Sequence, residues 1–141
     1  MTHKRIAQFV AVTVAATAVA LGGAGFANAD NVCESGEFCL YENKNFNDGS
    51  FSTYGKRQWT GSDSTYADNK WWDYVVPGHH NVDILNDEAS SLWNRTGCRV
   101  AISQHANGDG DTSNYANGAK DTTFDNNNVG DNRASSHKIV C

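Results

Sequence analysis

The chain has 141 residues, with 16 Asp and Glu against 11 Lys and Arg, and its formal net charge at pH 7 is −5. Binding to nucleic-acid phosphates requires clustered basic side chains, so this balance excludes nucleic acid as the expected partner. The length left after removal of a leader is that of one domain.

The first 29 residues predict a signal peptide. Lys4 and Arg5 make a basic start, residues 6–21 are apolar or small apart from three polar positions, and the Ala-Asn-Ala sequence at 27–29 is typical of a cleavage site. The apolar run is short for a membrane anchor. We therefore expect a secreted, extracellular protein whose mature domain, 30–141, has no membrane segment.

Short runs of β-forming residues, separated by Gly, Asn, Asp and Ser, predict an all-β protein. No long stretch has the apolar period of a helix. Short strands with frequent turns are typical of a sandwich or barrel. The predicted strands are 38–41, 49–54, 74–76, 91–93, 99–103 and 138–141.

The four cysteines lie in the mature part and predict two disulfides. An even number of cysteines in an exported chain is typical of disulfide pairing. Of the three possible pairings we favour Cys33 with Cys39 and Cys98 with Cys141. A site with four thiolate ligands is the alternative, which the irregular spacing and the lack of a Cys-x-x-Cys motif disfavour.

A short acidic motif occurs twice. Residues 86–91 read Asn-Asp-Glu-Ala-Ser-Ser, and residues 131–136 read Asp-Asn-Arg-Ala-Ser-Ser. The first motif begins 37 residues after Gly49 and the second begins 21 residues after Gly110. The two halves are therefore predicted to be copies of one unit, with an insertion in the first copy between residues 56 and 78.

The repeated motif combines residue types that bind calcium. Adjacent Asn and Asp side chains and a nearby Ser hydroxyl offer hard oxygen ligands, and backbone carbonyls can complete the six to eight oxygens that calcium prefers. The same residues also form turns without any metal. Two copies of the motif in an acidic, exported chain favour the metal.

The motif pair resembles that of βγ-crystallins. The first copy opens with Leu40-Tyr41-Glu42-Asn43-Lys44-Asn45-Phe46 and a following Gly49. Together with Cys33 and Cys39, this opening is similar to that of secreted microbial peptidase inhibitors of βγ-crystallin type, such as actinobacterial metalloproteinase inhibitors. The resemblance implies a β-sandwich of two Greek-key motifs, at about 33–95 and 96–141.

The resemblance also implies two calcium sites shared between the keys. The candidate side-chain ligands are Asp87, Ser90, Asn132 and Ser135, with Asn86 and Asp131 beside them. The carbonyls of Glu42 and Ser103, or of their neighbours, close the sites. The second site is expected to be weaker because Asn132 stands where an Asp is usual. Ile102 and Asn107 also depart from the pattern, since the resemblance implies aromatic residues there.

The predicted insertion is rich in aromatic residues. Trp59, Trp71, Trp72 and Tyr74 form either a recognition surface for a peptidase or a glycan, or extra packing for a small core. The two interpretations differ in the exposure of the rings.

No catalytic pattern such as G-x-S-x-G or H-E-x-x-H is present, so we expect no enzymatic activity. The leading hypothesis is a secreted, monomeric, calcium-binding inhibitor of a peptidase, with a metalloproteinase as the target that the resemblance implies. Two other hypotheses are a structural or stress-related extracellular protein stabilised by calcium, and a toxin or cell-wall glycan-binding module that uses the tryptophans.

Overall fold

The computed structural model describes residues 32–48, 55–72 and 83–141. Its strands are β1 (Phe38–Tyr41), β2 (Lys56–Trp59), β3 (Ser91–Asn94), β4 (Arg99–Ser103), β5 (Thr112–Tyr115), β6 (Lys120–Asp121) and β7 (Ser136–Val140). Short helical turns occur at Lys44–Asn47, Ala106–Gly108 and Phe124–Asn126. The leader and the predicted strands 49–54 and 74–76 lie outside the described residues. In the described ranges, no helix is long and apolar enough to cross a membrane.

The prediction of an all-β protein is confirmed, and four of the described strands, β1, β3, β4 and β7, were predicted from the sequence. The bounds of β1 and β4 are those predicted, and β3 and β7 differ from the prediction at their ends. The polar strands β2, β5 and β6 were not predicted. Strand β2 pairs with β1 along its whole length, from Phe38 with Trp59 to Tyr41 with Lys56, so it belongs to the first unit and not to an insertion.

The strands form two antiparallel sheets, and the two halves of the chain contribute to both. One sheet has the order β2-β1-β3-β6 and the other the order β5-β4-β7. Strand β6 comes from the second half but pairs with β3 of the first. In return, Asp63 of the first half bridges to His137 in β7. The halves therefore exchange segments.

Hydrogen bonds occur in matched pairs that relate the halves. The amide of Ser90 donates to the carbonyl of Tyr41, and the amide of Ser135 donates to that of Ser103, both at 3.0 Å. Tyr41 thus corresponds to Ser103. The expectation of an aromatic residue at Ile102, which treats Ile102 as the counterpart of Tyr41, was therefore wrong by one residue.

The same pairing corrects the insertion. The amide of Tyr66 donates to Ser135 and that of Phe124 donates to Ser90, so Tyr66 corresponds to Phe124. Asp87 follows Tyr66 by 21 positions, but Asn132 follows Phe124 by 8. The first half therefore contains additional residues between Tyr66 and Asp87, and this insertion begins after Tyr66 and not at position 56. The first half also has additional residues before β2. The amide of Glu42 donates to the carbonyl of Gly55, as the amide of Gln104 donates to the carbonyl of Asp111, and the first pair is farther apart in the sequence than the second.

The core lies between the sheets and is built from both halves. Its buried members are Phe38, Leu40, Tyr66, Trp71, Leu85, Ala89, Leu92, Val100, Ile102, Phe124, Val129 and Ala134. Tyr66 and Phe124 are fully buried at corresponding positions. A smaller cluster of Cys33, Cys39 and Tyr41 packs against Phe46 and Trp93.

Both disulfides form with the pairing that the sequence favoured, Cys33 with Cys39 and Cys98 with Cys141. The first links positions 6 residues apart within the smaller cluster, and the second links positions 43 residues apart. The described part of the chain contains no free cysteine, and a four-thiolate metal site is therefore wrong.

Candidate metal site

The last serine of each acidic motif anchors a neighbouring loop. The Ser91 hydroxyl donates to the carbonyl of Asn43 at 2.6 Å and accepts from the amide of Phe46 at 3.1 Å. The Ser136 hydroxyl does the same for His105 and Gly108, at 2.7 and 3.1 Å. Each hydroxyl thus commits its one proton and one of its two lone pairs to this structural role.

The first serine of each motif contacts the other motif. The Ser90 hydroxyl donates to Asn132 Oδ1 at 3.2 Å, and the Ser135 hydroxyl donates to Asp87 Oδ1 at 2.8 Å. These two crossed pairs bring oxygens from opposite halves together. We call the surroundings of Ser90 and Asn132 site A, and those of Ser135 and Asp87 site B.

The backbone explains why Asn and Asp occupy the second motif position. Asp87 has φ 61° and Asn132 has φ 55°, in the left-handed region. Asn and Asp tolerate this region better than other residues with a Cβ, because their short polar side chains bond locally. The conformation and the side-chain oxygen therefore select the same two residue types.

The loops after β1 and β4 lie beside the two sites. Glu42, in the first loop, accepts a hydrogen bond from the amide of Gly55 at 2.6 Å through its carboxylate. Its counterpart in the second loop is Gln104, whose amide bonds to the carbonyl of Asp111. Ser103 is the sequence-based candidate in this loop. Its carbonyl accepts from the amide of Ser135, and the next residue, Gln104, is the one that corresponds to Glu42.

Site A opens into a polar cleft of about 750 Å³. Its lining residues are Glu42, Asn43, Lys44, Asn47, Asp48, Asp87, Glu88, Ser90, Asp131 and Asn132. Carboxylates outnumber the one lysine in this lining, so the cleft attracts cations. Oxygen donors without sulfur or imidazole suit calcium or magnesium and not a soft metal.

One oxygen of the cleft fits a bound cation. Asp131 Oδ1 is buried and has no hydrogen-bond partner among the residues that the structure describes. Burying such an acceptor unpaired is costly unless a cation or a donor satisfies it. The donor set and this oxygen together fit a hard divalent ion at site A.

Lys44 is the basic residue of the cleft. Its ammonium lies 2.5 Å from Asp125 Oδ2 and 3.8 Å from Asp131 Oδ2. The hydrogen bond to Asp125 raises the pKa of Lys44, against a small loss of hydration, and lowers the pKa of Asp125. Sequence analysis missed Lys44 and Asp125, because no motif relates residues 81 positions apart.

Elsewhere in the described ranges, the only group of three potential ligands among Cys, His, Asp and Glu is Cys33, Glu37 and Cys39. The two sulfurs are joined in a disulfide, so they supply no thiolate. This group is therefore part of the fold and not a metal site.

The predicted recognition residues have different surroundings. Trp71 is 2% exposed, and its indole donates to Glu88 at 3.0 Å. Trp59 is half-buried against the core, whereas Trp72 is 49% exposed with Arg57 stacked 4.5 Å from the ring centroid. Tyr74 lies outside the described residues. Trp71 thus serves as core packing.

The architecture and the sequence point to the same family. Residues 27–115 match the family model described as peptidase inhibitor family I36. The chain belongs to peptidase inhibitor family I36. As a member of this family it is a non-enzymatic protein whose partner is a peptidase. No curated protein matches the chain.

Solved structures confirm the βγ-crystallin fold of this family I36 member. A structure concerning the evolution of the eye-lens beta-gamma-crystallin domain fold has a TM-score of 0.56 at 19% identity and covers 77% of this chain and 92% of its own. A beta gamma crystallin from Ciona intestinalis has a TM-score of 0.53 at 19% identity, with coverages of 74% and 100%. A betagamma-crystallin from an archaeon has 0.51 at 19%, with 76% and 100%. At this identity the similarity establishes the fold alone.

Proposed function

We propose that this chain is a secreted, monomeric inhibitor of a peptidase, with a mature domain at 30–141 in which calcium joins the two halves. The observation that carries the calcium part is the pair of crossed contacts, Ser90 with Asn132 and Ser135 with Asp87. In each contact two ligand-type oxygens from opposite halves lie within hydrogen-bonding distance. A cation that binds both oxygens links the halves.

The ligands follow from these contacts. At site A the ligands are Asn132, Ser90 and the backbone of the loop at Glu42. At site B the ligands Asp87 and Ser135 are arranged in the same way. Bound calcium supplies a positive charge that replaces the serine-to-Asx hydrogen bond as the connection between the halves. Site A is the weaker of the two on ligand charge, because Asn132 supplies an amide where Asp87 supplies a carboxylate.

Inhibition of a peptidase depends, in this proposal, on the rigidity of the loops of the domain. Family membership supports a peptidase as partner, and a metalloproteinase is the target class that the resemblance favours. A loop that enters an enzyme cleft loses less conformational entropy when it is already ordered. Disulfides and calcium both order the loops of this small domain, which has two disulfides in the described part.

Calcium binding is tested by titration calorimetry on the mature protein after treatment with a chelator. We expect Ser135→Ala to weaken calcium binding at site B about tenfold, which corresponds to a loss of about 1.4 kcal/mol of binding free energy. Calcium at 100 times its Kd adds about 2.7 kcal/mol to the free energy of unfolding. The absence of heat at millimolar calcium in the unsubstituted protein contradicts the metal part of the proposal.

The inhibitor part is tested with a panel of metallo-, serine and cysteine peptidases. Comparing the unsubstituted protein with Ser135→Ala at one calcium concentration keeps the peptidases' own calcium needs constant. We expect inhibition of at least one class, and weaker inhibition by the variant. Calcium binding without any inhibition points instead to the structural, calcium-stabilised protein. Glycan binding that Trp72→Ala abolishes points to a cell-wall module.

A further inference from the structure

Lys44 connects the two halves of the molecule across site A. It lies in the loop after β1, and its ammonium contacts Asp125 Oδ2 at 2.5 Å and Asp131 Oδ2 at 3.8 Å in the second half. Asp131 is the residue before Asn132, whose oxygen accepts from Ser90 at site A. The ammonium is thus a positive charge that joins the same segments that a cation at site A joins.

The lysine shares its cleft with the proposed ligands. Lys44, Ser90, Asp131 and Asn132 all line it. Lys44 contacts one oxygen of Asp131, and the other oxygen of that carboxylate is buried without a partner in the described part of the chain. The carboxylate is therefore half satisfied, by a cation that belongs to the protein.

Site B has no corresponding charge. The loops correspond because the amide of Asn45 donates to Thr122 as that of Asn107 donates to Ser64, at 2.8 and 2.7 Å. By this correspondence, and by that of the two motifs, the second half has Ala106 where the first has Lys44. The partners of the lysine are replaced in the same way, Asp125 by Ala67 and Asp131 by Asn86. All three charged positions are thus neutral at site B.

We propose that Lys44 is a tethered cation that competes with calcium at site A and partly replaces it as a link between the halves. This inference rests on the proposed calcium function. A fixed ammonium neutralises the carboxylate that attracts calcium and repels the incoming ion. The side chains of Lys44 and Asp125 are 45% and 50% exposed, so the effect is moderate and decreases with salt.

The experiment is a calcium titration at low ionic strength on the mature protein with Lys44→Gln. Lys138→Gln is the matched control, because Lys138 is exposed on β7, does not line the cleft, and loses the same charge. We expect Lys44→Gln to bind calcium at site A roughly three to ten times more tightly, and the gain to diminish at high salt. Lys138→Gln should bind as the unsubstituted protein does. Equal affinities of the two variants overturn the inference.

Two further measurements separate this inference from the proposed function. In a double-mutant cycle, Asp131→Asn should remove most of the gain caused by Lys44→Gln. Without calcium, Lys44→Gln should melt at a lower temperature than Lys138→Gln. Calcium binding that neither substitution alters overturns the role of Lys44 and leaves the proposed function intact. No calcium binding in any of these proteins overturns the proposed function itself.

Discussion

At the scale of single residues, His137 is a buried titratable side chain in the contact between the two halves. It is 4% exposed, and its ring lies 2.8 Å from the Tyr66 hydroxyl through Nδ1 and 2.8 Å from the carbonyl of Gly61 through Nε2. A carbonyl only accepts, so we assign the proton to Nε2 and let Nδ1 accept from Tyr66. Burial lowers the pKa of His137 to about 4, although Gly61 and Asp63 oppose the shift.

We predict that this histidine weakens the fold between pH 6.5 and 4. The unfolded chain binds a proton at about pH 6.5, whereas the folded chain resists it until about pH 4, so the stability present above pH 6.5 is lost as the pH falls. Between pH 7.5 and 4.5 the cost is about 2 to 3 kcal/mol. Urea denaturation at both values should show this loss for the unsubstituted protein.

The control for this prediction is His137→Gln, which carries no titratable group. Other groups change their charge in both proteins, so the histidine's part is the difference between the two pH responses. Equal losses of stability in the two proteins contradict the assignment to His137.

At the scale of elements, the loop after β1 has an unusual backbone. Asn45, Phe46 and Asn47 have φ of 55°, 59° and 61°, all in the left-handed region. This region is unfavourable for a bulky residue such as Phe46. The hydroxyl of Ser91, at the start of β3, compensates by bonding to both Asn43 and Phe46. The loop conformation thus depends on the neighbouring strand.

We predict that Ser91→Ala destabilises the protein by about 1 to 2 kcal/mol, because it leaves one partly buried acceptor and one partly buried donor without this partner. Ser64→Ala is the control, since Ser64 is exposed, and it should change the free energy of unfolding by less than about 0.5 kcal/mol. Chemical denaturation with a chelator present measures both. A neutral Ser91→Ala would show that the loop holds its shape without the strand.

At the scale of the whole molecule, the two disulfides differ in what they constrain. Cys33–Cys39 closes a separation of 6 residues, and Cys98–Cys141 closes one of 43. Closing a longer loop removes more entropy from the unfolded chain, about 2 kcal/mol for the shorter separation and about 4 kcal/mol for the longer. The second disulfide also connects the beginning of β4 to the C-terminal residue beyond β7.

We predict that replacing Cys98 and Cys141 together by Ala lowers the free energy of unfolding by about 4 kcal/mol, and that replacing Cys33 and Cys39 lowers it by about 2 kcal/mol. Guanidinium denaturation of both double variants shows which disulfide contributes more to the free energy of unfolding. The reverse order would mean that the packing of Cys33 and Cys39 beside Tyr41 outweighs loop entropy.

The sequence predicted those strands whose side chains carry the signal of burial. β1 and β4 contribute Leu40 and Ile102 to the core, and their apolar character is visible without a structure. β2 reads Lys-Arg-Gln-Trp, β5 reads Thr-Ser-Asn-Tyr, and β6 has two charged residues. These three are strands because they pair with β1, β4 and β3. Their conformation is a consequence of tertiary pairing and has no local pattern.

The sequence by itself determined the all-β class, the presence of two disulfides, and the residue types at the candidate metal site, because each depends on composition or on a motif that is repeated. Only the tertiary structure decided which serine meets which Asx residue, since the crossed contacts join residues 42 and 48 positions apart. It also brought Lys44 to Asp125, 81 positions away. These contacts arise because the two halves exchange segments between their sheets, and that exchange has no local signature in the chain.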